Sequence, residues 1–281
     1  MARRQTPASD RLPVTGLVRQ AYRYLLAEQR RLIRLALGWL LLAYALGLLL
    51  SRLPGVPSPR AWAIANLVDF LGYSAVGVAW LRHLVLGEAW PNRTVPLRGP
   101  VFAYIFWGFL AMLLAVVPAL LASSVAGGLL ALLFARTSAQ AHLLIGDTVM
   151  GAALLASYLF TRLMFVPLAR ALGEPVRFVE SLALSRGNGL CLLLGSFLVV
   201  LPLLLAIFAS LLLLGGAGAS GDVPGLPSQG APLRPSGLLL DLVLRSVQYA
   251  EAALTATFAA GSYAFLLGRR GRPPVSGGEH P

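Results

Sequence analysis

Long apolar runs alternate with short arginine-bearing joints along this chain, and the lengths of the runs carry most of the structural information. The hydrocarbon core of a bilayer is about 30 Å thick and takes roughly 20 helical residues to cross. Six segments reach that length: residues 32–52, 61–86, 101–122, 147–171, 189–214 and 237–268. Each is predicted to be a transmembrane helix, because in lipid a helix satisfies its own backbone donors and acceptors. Residues 125–134 are apolar but too short to span, and are expected to lie at the surface or to re-enter. Pro118 in the third span and Pro202 in the fifth are the expected kinks. The predicted fold class is all-α, a polytopic membrane protein: six transmembrane helices form one domain over residues 32–268, with two cytoplasmic-side amphipathic helices.

The first amphipathic helix lies within the N-terminal segment, residues 1–31. Leu17, Val18, Ala21, Tyr24 and Leu25 fall on one helical face, while Arg19, Arg23 and Arg30 fall opposite. Such a helix is expected to lie on the inner leaflet, where anionic lipid attracts each nearby arginine by about 1 kcal/mol. A topology anchor accounts for it without a specific ligand. The second covers residues 175–185, opening on Pro175, which suits a first helical turn, and closing at Gly187–Asn188–Gly189. The loop GGAGASGDVPGLPSQGAPLRPSG and the tail RRGRPPVSGGEHP (residues 269–281) are rich in Gly, Pro and Ser and are expected to be disordered.

Composition sharpens this picture. With 57% hydrophobic and 12% charged residues and a mean hydropathy of +0.75, the 281-residue chain falls outside the soluble globular range. All 23 basic residues are arginine, a usage that points to a GC-rich bacterial genome. The net charge of +12 bears on topology before nucleic acid, because no soluble stretch is long enough to build a basic nucleic-acid-binding domain. Counting Arg34, Arg82, Arg162 and Arg170 with the segments that their spans adjoin, eighteen arginines fall on one side, with the N-terminal segment, the second and fourth connections and the tail; Arg52, Arg60, Arg136 and Arg234 fall on the other. The positive-inside rule then places both termini in the cytoplasm, with the protein in a bacterial inner membrane. The first apolar run is too long for a signal-peptide core and lacks an Ala-x-Ala site, so it is read as a retained span.

Catalytic signatures are missing from the sequence. It has no phosphate-binding glycine loop, no His-Glu-x-x-His and no nucleophile elbow. His83, His142 and His280 are dispersed, and the single Cys191 excludes a Cys-x-x-Cys metal site. No catalytic residue, cofactor or metal is expected, and the chain is read as non-enzymatic.

Ionisable groups within spans are the remaining candidates, because exposing them to lipid is costly. The even spans end alike, in Leu86–Gly87–Glu88, Leu172–Gly173–Glu174 and Leu267–Gly268–Arg269. Taking the last residue of each as one depth, Asp69 lies 19 residues in, Glu251 18, Arg162 12, Arg245 24 and Asp241 28. At 1.5 Å per residue, Asp69 and Glu251 share a depth of about 28 Å and Arg162 lies near the midplane, at about 18 Å. Asp241 and Arg245 are expected beyond the core, as an ordinary solvated pair. Arg162, Asp69 and Glu251 are either structural ties among spans two, four and six, or the lining of a polar path. In span six, Ala252, Ala256, Ala260 and Ala264 repeat at i+4, the close-packing stripe of a central helix.

Two stretches, GVAWLRHLVLGE (residues 77–88) and LFTRLMFVPLARALGEPVRFVESLALSRGNG (residues 159–189), resemble a family of uncharacterised six-span inner-membrane proteins of proteobacteria. More distantly they resemble the membrane domain attached to some glycerophosphodiester phosphodiesterases. The resemblance implies a fold and a location. It does not imply diesterase activity, because this chain lacks the soluble catalytic domain. The function expected is that of a scaffold or assembly factor contacting lipids, with anionic headgroups at the cytoplasmic face, or another membrane protein. The alternative is a small-solute or lipid transporter. A faint likeness between VRQAYRYLLAEQRRLIRLALGWLLL and VRFVESLALSRGNGLCLLLGSFLVV hints at the same-orientation repeat that some carriers have.

Overall fold

A computed structural model describes residues 11–52, 58–89, 97–134, 138–215 and 235–269, and among these every regular element is a helix. They are α1 (Val14–Ser51), α2 (Ser58–Leu86), α3 (Gly99–Phe134), α4 (Ser138–Leu163), α5 (Phe165–Ala171), α6 (Phe178–Leu184), α7 (Gly189–Gly215) and α8 (Pro235–Arg269). Six spans are long and apolar enough to cross a membrane: α1, α2, α3, α7, α8 and the stretch Gly146–Ala171 that joins α4 to α5. Most of the expected disordered loop and all but the first residue of the tail lie outside the described residues.

Three boundaries differ from expectation, each for a physical reason. Residues 15–31 do not form a separate surface helix: they continue unbroken into the first span as the 38-residue α1. Their apolar face is used within the protein, with Ala21 fully buried and Leu17, Val18, Tyr24 and Leu25 packed on the core. Residues 125–134 are not a separate segment; they extend α3 to 36 residues, against which α4 packs. Finally, the fourth span is interrupted at Met164, between α4 and α5, while α3 and α7 run through Pro118 and Pro202 as single helices. Pro167 has no N–H to return to the carbonyl of Leu163, four residues back. The second amphipathic segment folds as the seven-residue α6, with Ser181 and Leu184 buried.

The helices form two groups. In the first, α1, α2, α7 and α8 pack on one another; in the second, α3 packs on α4 and α5, and α6 folds back on α4. As the alanine stripe implies, α8 is central: 61% of its apolar window is buried, against 17% for α3 and α7. Its Ala252 meets Gly77 of α2, and its Phe258 lies so close to Gly195 of α7 that a Cβ there would come within 2.1 Å of the ring. By contrast α3 exposes Phe102, Phe106, Phe109, Met112, Leu120 and Leu121. A soluble monomer does not show apolar surface on that scale; a lipid-facing helix does.

Contacts between α2 and α8 fix their relative depth. Trp80 bonds Thr257, Asp69 bonds Arg245 and Tyr249, and Asn66 bonds Arg245, with sequence separations of 177, 176, 180 and 179. A near-constant difference along both helices means that they run parallel. It aligns Glu88 with a residue about one turn before Arg269, so the two helices do not end at the same level.

Polar ties and an open arginine

Asp69 sits at the meeting of α1, α2 and α8, where water is excluded and an isolated carboxylate would be costly. Arg245 Nη1 donates to its Oδ2 at 2.8 Å, and the Tyr249 hydroxyl donates to its Oδ1 at 2.9 Å. A second guanidinium nitrogen, Arg245 Nη2, donates to Asn66 Oδ1 at 2.8 Å, and the Tyr44 ring lies 5.5 Å from Arg245 Cζ. The side chains of Arg245 and Asp69 are 11% and 9% exposed. Arg245 is therefore not on a solvated face. The equal-depth ruler placed it outside because it ended α2 and α8 together; moving α8 by the turn the contacts require brings Arg245 within reach of Asp69. The side chain of Asp241 lies outside the described residues.

Arg162 meets neither Asp69 nor Glu251. Its Nε donates to Ser185 Oγ at 3.0 Å and its Nη2 to the Leu182 carbonyl at 2.8 Å, while Ser181 Oγ donates back to the Arg162 carbonyl at 2.6 Å. The last turn of α6 is thus capped by a cation, which complements the carbonyl end of a helix. Tyr158 adds a ring 5.7 Å from Arg162 Cζ. The half-buried Glu251 makes no hydrogen bond or ion pair among the described residues. Arg19, Arg23 and Arg30 are all exposed along α1.

A third set of ties gathers the C-terminal ends of α2, α5 and α8. Arg82 forms an ion pair with Glu88 and donates from Nη1 to the Ala171 carbonyl at 2.6 Å. His83 Nδ1 donates to the Glu88 carbonyl, also at 2.6 Å, and the Tyr263 hydroxyl donates to Glu174. Glu88, just outside its span, has its carboxyl held below the usual glutamate range by the Arg82 hydrogen bond, with burial opposing and the Arg82 and Arg98 charges assisting. Gly87 and Gly173, at φ +66° and +89°, make the turns that carry these glutamates back toward the bundle.

Arg170 is held differently. Its Cζ lies 4.7 Å from the centroid of the Trp107 ring, its Nε is buried without an acceptor, and it makes no hydrogen bond or ion pair among the described residues. Nothing in the sequence distinguished it from the other arginines at span ends. A cavity of about 260 Å³ between α1, α2 and α8, lined in part by Gln20, Leu84, Thr257 and Tyr263, holds no free nucleophile: Thr257 bonds Trp80 and the Ala253 carbonyl, and Tyr263 bonds Glu174. No group of three or more His, Cys, Asp or Glu residues able to hold a metal ion occurs among the described residues.

No family model, no curated protein and no solved structure matches the chain.

Proposed function

We propose that the chain is a non-enzymatic inner-membrane scaffold or assembly protein that works by contact with lipids or with another membrane protein. The observation that carries this reading is the use to which its intramembrane charges are put. Asp69 and Arg245 tie α2 to α8, and Arg162 ties α4 to α6. Charges engaged in this way stabilise a fixed arrangement of helices. The thinly buried α3 and α7 meanwhile offer apolar faces to lipid or a partner. In the orientation inferred from arginine placement both termini are cytoplasmic, and the exposed Arg19, Arg23 and Arg30 of α1 face anionic headgroups. Reporter fusions after Arg98 and after Gly221 are expected to read cytoplasm and exterior; the reverse pair overturns this orientation.

A second reading, a transporter of a small solute or lipid, is favoured by one specific observation, the half-buried Glu251 that makes no hydrogen bond or ion pair among the described residues. Arg162→Ala and Glu251→Gln separate the two readings. Under the scaffold reading Arg162→Ala lowers the amount of folded protein that accumulates, and Glu251→Gln leaves copurification of partner or lipid unchanged. Solute flux in reconstituted vesicles that is abolished by Glu251→Gln, at an unchanged level of folded protein, overturns the scaffold reading.

A further inference from the structure

We propose that the Arg170 guanidinium, laid on the Trp107 ring, is a binding site for a phosphate group of the kind a phospholipid headgroup carries. Arg170 is the penultimate residue of α5, where the apolar stretch Gly146–Ala171 ends. Lipid phosphates lie at such a boundary between apolar helix and water. The guanidinium has five donors in a planar fork that matches a phosphate, and none is used within the protein among the described residues.

Acceptors that follow Arg170 within ten residues along the chain have partners of their own. Glu174, one turn along the chain, accepts from the Tyr263 hydroxyl; Glu180 accepts from the Arg177 backbone N–H; the Ala171 carbonyl accepts from Arg82. Arg162, Arg245 and Arg82 find acceptors in the protein, whereas Arg170 is placed against a ring and finds none among the described residues. Cation–π contact supplies attraction and a fixed plane but no hydrogen bond. The platform is itself braced: Trp107 makes ring contacts with Phe106 and Phe178, each with centroids 5.7 Å apart. Because Nε is shielded, a phosphate would be met by the terminal nitrogens, on the open side of the half-buried side chain. The site requires only that α5 end at a membrane surface, and does not rest on the scaffold reading.

The test uses the wild-type full-length protein in a maltoside detergent, which brings no phosphate. Phenylglyoxal modification of Arg170 is followed by peptide mass spectrometry with added dioleoylphosphatidylglycerol, dioleoylglycerol or millimolar inorganic phosphate. Arg170 is expected to react in detergent alone and to be protected about tenfold by the phospholipid, since hydrogen bonds to a charged group are worth a factor of that order. The phosphate-free dioleoylglycerol is expected not to protect it. Protection by inorganic phosphate to the same extent supports the same chemistry with a soluble source; protection by the phospholipid alone supports the headgroup. Equal modification in all arms, or an Arg170 inert in detergent alone, overturns the site. With Trp107→Leu, protection is expected to fall severalfold while Arg170 still reacts; undiminished protection removes the ring from the proposal.

Discussion

Breaking the Asp69–Arg245 pair is expected to destabilise the protein far more than replacing it. Two unit charges about 4 Å apart attract by about 4 kcal/mol at an effective dielectric of about 20, and this pair is near 10% exposed at each end with a contact of 2.8 Å. Arg245→Met leaves the Asp69 carboxylate with Tyr249 as its remaining side-chain donor; Asp69→Leu takes from the guanidinium its carboxylate partner, while Asn66 and the Tyr44 ring stay. Removing one partner of a buried ion pair typically costs about 3–5 kcal/mol, whereas replacing both by apolar groups of similar volume is close to neutral. The double variant is not expected to recover fully, because the Tyr249 hydroxyl then loses its carboxylate acceptor and keeps only the backbone carbonyl of position 69, 3.4 Å away, at a cost of up to about 1–3 kcal/mol. All four proteins can be compared by reversible unfolding in mixed micelles on titration with dodecyl sulfate. The expected double variant is more stable than either single one, giving a coupling of about 3 kcal/mol or more. If the two single effects add to within about 0.5 kcal/mol, the pair does not tie α2 to α8 and the shifted register loses its meaning.

Two further outcomes are expected. Gly195→Ala puts a methyl group 2.1 Å from the buried Phe258 ring and should cost about 1–3 kcal/mol, while Gly151→Ala, in α4 with nothing within 4 Å, should be neutral or stabilise by up to about 1 kcal/mol; thermal unfolding of the two side by side checks this, and equal effects would contradict the α7–α8 contact. Glu88 is ionised more readily in the folded protein than in the unfolded chain, so its contribution to stability is present above the ordinary glutamate range and is lost as pH falls through its lowered folded value. Glu88→Gln should therefore flatten the acid limb of a stability–pH profile, and a limb identical to wild type would show that the Arg82 tie contributes nothing.

Much of the helical layout is legible in the chain because bilayer thickness makes run length a direct measure of a span. The central place of α8 is legible too, through Ala252 and Ala260, which are buried as the stripe implies, although Ala256 is only half-buried and Ala264 is exposed. What escaped was of three kinds. Depth inferred from matching span ends assumed that helices finish level, and the α2–α8 register shows a difference of about one turn. That is enough to turn Arg245 from a solvated residue into the partner of Asp69. Assigning Arg162 to a carboxylate overlooked the carbonyl end of a short helix as an equally good acceptor for a cation. Arg170 had no signal at all, because its ring partner lies 63 positions away in sequence, on α3.

The length of α3 has a consequence for the membrane around it. Its apolar run, Gly99–Leu133, has 35 residues, about 52 Å of helix against a hydrocarbon core of about 30 Å. That mismatch must be met by tilting, by local thickening of the bilayer, or by carrying apolar surface past the lipid into another protein. Tilt is governed by packing against neighbours, and α3 with α4 forms the least enclosed hairpin of the described residues, so it has the freedom to lean while α8 stays fixed. A bilayer of different thickness would therefore be felt first at this hairpin, and through Trp107 on α3 at the ring beneath Arg170.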